Sequence, residues 1–116
     1  MLPKKYRLTA RGDFLGVFRG NLRARSGPFM LMCRNNDLPY AKFGFVVSLA
    51  VSKKAVVRNK LRRQLHEIIR SLFSSLAPGY DCVIRAYPGA AELKFGEIEK
   101  YIQETMRNVK ILARSL

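Results

Sequence analysis

A chain of 116 residues with 48% hydrophobic side chains is long enough for one domain with a modest core, and too apolar to be disordered as its overall state. Its 22 Lys and Arg against 8 Asp and Glu give a net charge of +14 at pH 7, which points to a polyanionic partner, nucleic acid above all. No apolar run approaches the ~20 residues of a membrane span, and the opening "MLPKKYRLTARGDF" lacks a signal peptide's apolar stretch, so a cytoplasmic protein with no membrane partner is expected.

In chain order, "MLPKKYRL" is a basic, extended lead-in. Thr9 suits an N-cap, and a short helix follows through Phe18, with Phe14, Leu15, Val17 and Phe18 at helical spacing and Gly20-Asn21 to end it. "NLRARSGP" reads as a basic, turn-rich linker. "PFMLMCR" reads as a strand, "NNDLPY" as a turn and "AKFGFVVS" as a second strand, which together suggest a hairpin-like pair. Residues 49–55 leave room for a short further strand. A long helix is expected from Val57 to Leu76, where Pro78-Gly79 stops it, and then a strand in "YDCVIRAY". After Pro88-Gly89 a last helix is expected from Ala91 to Arg114, with Leu93, Ile98, Tyr101, Ile102, Met106, Val109 and Leu112 along its apolar stripe. The order α-β-β-(β)-α-β-α indicates a small α/β sandwich of the α+β class, a single domain over residues 1–116.

The charge is unevenly placed. Residues 1–63 hold 15 of the basic residues and only two acids, Asp13 and Asp37, whereas residues 64–116 hold seven and six. Along the helix that "AVVRNKLRRQLHEIIR" begins, at about 100° per residue, Val57, Leu61, Leu65, Ile68, Leu72 and Leu76 share one arc. Asn59, Arg63, His66 and Arg70 fall opposite them, flanked by Lys60 and Arg62, and Lys53 and Lys54 extend the row. A solvated helix normally intersperses both signs. Here Glu67 is the one acid, placed to pair with Arg63 at i,i+4 for ~0.3–0.5 kcal/mol. Such a face suits phosphates, and from physics alone RNA and DNA are both open.

Residues for chemistry are scarce. The acids are scattered rather than clustered as Mg²⁺ ligands would be, and His66, the only histidine, is expected to be exposed on its helix with no second partner for acid–base work. Ser48 and Ser52 have no base near them in sequence, and Gly44 and Gly79 read as strand and turn glycines rather than a phosphate loop. Cys33 and Cys82 lie in apolar runs and read as buried free thiols.

"VVRNKLRRQLHE" resembles the Arg-Asn-Arg signature of the protein subunit of bacterial ribonuclease P, in outline Ala-Val-x-Arg-Asn-Arg-x-Lys-Arg-x-x-Arg-Glu after a Lys-rich approach. "LPKKYRL" resembles the family's opening, Asp13-Phe14 with Val17-Phe18 its "DFxxVF" helix, and "FGFVVS", "PGY" and the helix flanking "ARSL" fit the rest, so essentially the whole chain is covered. The chain departs from the pattern at Lys60 (usually Arg), Arg62 (commonly Lys), His66 (usually Arg), Leu49-Ala50 (often a Lys pair) and Met32 (often aromatic).

The resemblance implies a sandwich like one domain of ribosomal protein S5, with a left-handed βαβ crossover contrary to the usual rule. It also implies that an RNA subunit carries out Mg²⁺-dependent removal of the 5′ leader from precursor tRNA, with the ions held mainly by the RNA subunit and substrate. No protein side chain would then be catalytic, and no protein partner obligate. The ribonuclease P RNA would meet Lys53, Lys54, Arg58, Asn59, Lys60, Arg62, Arg63 and Arg70. The precursor tRNA 5′ leader would meet Phe14, Phe18, Met32 and Arg11. The competing readings are a ribosomal or assembly RNA-binding protein and a DNA-binding module with the basic helix in a major groove.

Overall fold

The computed structural model describes residues 2–112. Helix α1 (Arg11–Phe18) is followed by strands β1 (Leu22–Ser26), β2 (Phe29–Asn35) and β3 (Lys42–Val46), then α2 (Ala55–Leu72), β4 (Tyr80–Ala86) and α3 (Phe95–Asn108). The four strands form one sheet in the order β1-β2-β4-β3.

Three expectations give way here. The "linker" over 21–28 holds β1, which pairs antiparallel with β2 through Ser26↔Phe29. Gly27, at φ +54°, and Pro28 make the two-residue turn between them, a position that needs a residue free to adopt positive φ. β1 escapes a hydrophobicity reading because its inward residues after Leu22 are only Ala24 and Ser26, while Arg23 and Arg25 alternate outward, as suits an edge strand. Nor do β2 and β3 pair. β4 lies between them, antiparallel to β2 and parallel to β3. β4 is buried along most of its length, with Cys82, Ile84 and Ala86 on the main-core face and Val83 on the other, which favours a central place. β3, α2 and β4 therefore make a βαβ unit. The short strand considered within 49–55 does not form. The segment turns, with Val51 N–H donating to Ser48 O and Lys54 N–H to Ser52 Oγ.

The helices shift at their ends. α1 begins after Ala10, not Thr9. α2 starts two residues before Val57 and gives way at Phe73–Ser75 to a 3-10 turn. α3 starts at Phe95, where Glu97 accepts from Lys94 N–H at 3.0 Å. Residues 91 and 92 belong instead to a separate 3-10 turn. Arg114 and the "ARSL" stretch lie outside the described residues.

The main core lies between the sheet and α2 and α3. Phe29, Leu31, Cys33, Cys82 and Ile84 project from the strands to meet Leu61, Leu65, Ile68, Ile102 and Met106. The whole predicted α3 stripe joins this core. The other sheet face has a smaller cluster of Leu8, Val17, Met32 and Val83 under α1, with Phe14, Phe18, Met30 and Val46 half-buried at its margin. Thus one face is sealed and the other only partly roofed.

Candidate nucleic-acid interface

Two surfaces can hold a polyanion. The first is α2. Leu61, Leu65, Ile68, Ile69 and Leu72 face the core, so its cations are left outward, with Lys53 and Lys54 just before the helix and Asn59, Lys60, Arg63 and Arg70 on it all exposed. Arg58 is half-buried and donates from Nη1 to Ser52 O at 2.9 Å, which ties the helix start to the preceding turn. Arg62 donates to Asn59 Oδ1 at 3.0 Å. The expected Arg63–Glu67 pair is not formed. Glu67 instead pairs with Arg70 at 2.9 Å, and this hydrogen bond and charge lower the Glu67 carboxyl pKa. Among the described residues, Lys53, Lys54, Arg58, Lys60, Arg62 and Arg63 have no carboxylate partner.

His66 corrects the helical wheel. It is only 6% exposed, because β3 and the N-terminal segment cover that side of α2. Its ring lies 4.5 Å from that of Phe45, and its Nδ1 accepts from Leu2 N–H at 3.4 Å. Burial lowers its pKa to about 4, with the positive charges of Arg7 and Arg62 adding to the effect. His66 is a neutral packing residue rather than part of a cationic row.

The second surface is the partly roofed sheet face. Pairing registers place three ranks of side chains across it: Arg25, Met30, Arg85 and Val46; then Arg23, Met32, Val83 and Gly44; then Arg34, Asp81 and Lys42. α1 lies over the second and third ranks. Arg34 anchors it by pairing with Asp13 of α1 at 3.5 Å and with Asp81 of β4 at 3.2 Å, beneath Gly16, where a Cβ would collide with the guanidinium. Asp81, nearly buried, also accepts from Asn36 Nδ2 at 2.9 Å. Arg23 donates to the Phe18 carbonyl at the end of α1.

Phe14 and Phe18 lie side by side on α1, ring centroids 6.5 Å apart, each half-buried and therefore half-available. Arg11 is exposed at the start of the helix. Met32 is not available as expected. It is 4% exposed and forms the floor under α1, while Met30, one rank on, is the methionine left open. Three residues absent from the sequence-based site complete the open rank. The Arg25 and Arg85 guanidinium groups stand 4.3 and 5.4 Å from the Tyr87 ring centroid, and the Tyr87 hydroxyl is 4.0 Å from Met30 Sδ. Their signal was the period-two spacing of Arg23 and Arg25 in "LRARS" and of Arg85 and Tyr87 in "CVIRAY".

The two surfaces meet at the β3 edge. The N-terminal segment runs beside β3, with Leu8 N–H donating to Phe43 O at 2.8 Å. A cavity of about 200 Å³ there is lined by Phe14 from the cleft and Arg62 from the basic helix, with Arg7 and His66 between. Among the described residues, no three His, Cys, Asp or Glu side chains gather as a metal site, and no helix is long and apolar enough to cross a membrane.

Residues 2–110 match the family described as Ribonuclease P. The ribonuclease P protein component of Trichormus variabilis is 36% identical over 124 aligned positions, covering 89% of this chain and 88% of the relative. That of Streptomyces avermitilis is 34% identical over 118, covering 94% and 95%. The RNase P protein of Thermotoga maritima superposes with a TM-score of 0.77 at 28% identity, over 84% of this chain and 92% of that one. A mutant Staphylococcus aureus RNase P protein with defective mRNA degradation activity shares the fold, with a TM-score of 0.87 at 22% identity over 94% and 92%.

Proposed function

The chain belongs to the ribonuclease P protein family, a component of the tRNA-processing enzyme, and from that premise we propose that it binds the catalytic RNA through α2 and the 5′ leader of precursor tRNA through the α1 cleft. The observation that carries the reading is the meeting, at the β3 edge, of a basic face, six of whose cations have no carboxylate partner among the described residues, with a half-open aromatic cleft. Six such cations neutralise phosphates and release counterions, which supplies affinity without sequence preference. Phe14 and Phe18 present ring faces on which unpaired bases stack at ~1–3 kcal/mol each, again without a sequence requirement. A leader that differs from one tRNA to the next needs both properties.

Hydrolysis belongs to the RNA subunit. On this reading the Mg²⁺ ions bind mainly to RNA and substrate oxygens. The protein contributes by positioning. Arg34 fixes α1 over the sheet, α1 sets the two Phe rings, and α2 sets the register of the whole surface on the RNA subunit. Arg11, exposed beside the rings, is placed to meet a leader phosphate. Met32 supports the cleft from below without touching the leader. On this reading the complex works in the cytoplasm and needs no second protein.

Reconstitution with a bacterial ribonuclease P RNA tests the reading. Accurate 5′ cleavage of precursor tRNA at low Mg²⁺ is expected only when both subunits are present. Cleavage by the protein alone would overturn it, and half-site-selective binding to duplex DNA would favour the DNA-binding alternative.

A further inference from the structure

Cys33 and Cys82 face each other directly across β2 and β4, in register, with Sγ atoms 3.0 Å apart. At that distance one thiol can donate a hydrogen bond to the other. Opposed residues of an antiparallel pair have Cα atoms ~4.5–5.5 Å apart, within the ~4.4–6.8 Å that a disulfide spans, so the backbone already allows the bond. The separation does not suit a shared metal. Two thiolates on tetrahedral zinc, each ~2.3 Å from the ion, would stand about 3.8 Å apart. Both thiols are free and fully buried among the apolar side chains between the sheet and α2 and α3. The chain has no third cysteine to compete for either.

We propose that Cys33 and Cys82 form a reversible cross-strand disulfide, a modification site whose oxidant is a low-molecular-weight disulfide of the glutathione class. One thiolate attacks the small disulfide, forming a mixed disulfide and releasing one small thiol. The second cysteine, deprotonated, attacks the protein sulfur of that intermediate and releases the other small thiol. Two protein thiols are oxidised and one small disulfide is reduced to two thiols, with protons balanced. Burial decides when this happens. Burial and the facing Cys33 thiol raise the Cys82 pKa, and no oxidant reaches either sulfur while the helices are docked. Oxidation therefore proceeds from the opened chain, and the bond then closes a loop between residues 49 apart in sequence. The sulfurs point away from the α1 cleft, whose floor is made by the neighbouring pair Met32 and Val83.

The test uses the full-length chain incubated with oxidised glutathione at graded urea, followed by removal of both. The expected product is monomeric, lighter by two hydrogens, with Cys33 linked to Cys82 in a non-reducing peptide map. Its formation rate should rise with urea and its Tm should exceed that of the reduced chain by on the order of 10 °C, a gain abolished by dithiothreitol. Cys33→Ala and Cys82→Ala should each yield only the mixed disulfide. Stable glutathione adducts on the wild-type chain without the intrachain link, or a linked product whose Tm is lower than that of the reduced protein, would overturn the proposal.

Discussion

The ring of Phe14 rests on Gly44: a Cβ at Gly44 would approach Phe14 Cζ to 2.5 Å and Leu8 Cβ to 3.2 Å. A bare backbone on β3 therefore lets α1 sit low enough for Phe14 to be half in the cluster and half in the cleft. Gly44→Ala is expected to push the ring outward and to weaken binding of precursor tRNA several-fold, up to the ~1–3 kcal/mol of a lost stack. Binding of mature tRNA should be unchanged. Comparing the two affinities checks this, and an equal loss for both would assign Gly44 to folding alone.

Phe18, half-buried beside Phe14, gives a second reading of the same cleft. Phe18→Ala should lower affinity for precursor tRNA by about 1–3 kcal/mol and leave mature tRNA alone. A large fall in Tm without ligand preference would mean that Phe18 serves only the small cluster around Val17 and Val83.

Arg25, Tyr87 and Arg85 predict a dependence on leader length. Their rank spans the sheet beyond the Phe pair, so Arg25→Ala with Arg85→Ala should leave binding of a one- or two-nucleotide leader intact. Longer leaders should lose several-fold affinity as two cations leave the stacked Tyr87. A series of leader lengths, titrated against wild type and the double variant, decides the point. Parallel curves would remove this rank from the leader path.

On α2, Arg62 and Arg63 have no carboxylate partner among the described residues. Replacing both with Ala should flatten the plot of log affinity for the RNA subunit against log salt by roughly 1.5, near 0.7–0.9 per lost phosphate contact. Thermal stability should change little, since the aliphatic face of α2 is untouched. Arg70, held by Glu67, is expected to matter less than either. An unchanged salt slope would show that the RNA lies elsewhere.

His66 predicts a pH effect on folding. Its pKa falls from 6.5 to about 4 in the native state, chiefly by burial. Between those values the unfolded chain binds more protons, so stability is full above pH 6.5 and declines as pH falls through the window. From pH 7 to pH 5 the loss should be about 2 kcal/mol. Urea denaturation at the two values measures it, and His66→Gln should abolish most of the difference. A similar loss in the variant would place the titration on another group.

The basic amphipathic helix, both apolar strands β2 and β4, the core stripe of α3 and the family signature were legible in the sequence. Each depends on a period or a spacing within one segment, and burial of one side of a helix leaves its opposite cations outside whatever the partner element is. Which element becomes that partner is a different matter. β1 looked like a linker because the strand it pairs with supplies the apolar surface that it lacks. β4 came between β2 and β3 because a strand with side chains to bury on both faces, Cys82 and Ile84 on one and Val83 on the other, gains most from a central position, a competition invisible to either neighbour alone. His66 stood on the polar side of its own wheel and was buried by a segment some 60 residues earlier in the chain. Met32 was closed by the helix that opened Phe14 and Phe18, and Arg25 met Tyr87 only because two distant strands were brought into register with β2. Local periodicity determines which side of an element seeks burial; only the assembled fold decides what covers it, because burial is a property of neighbours brought together across the chain.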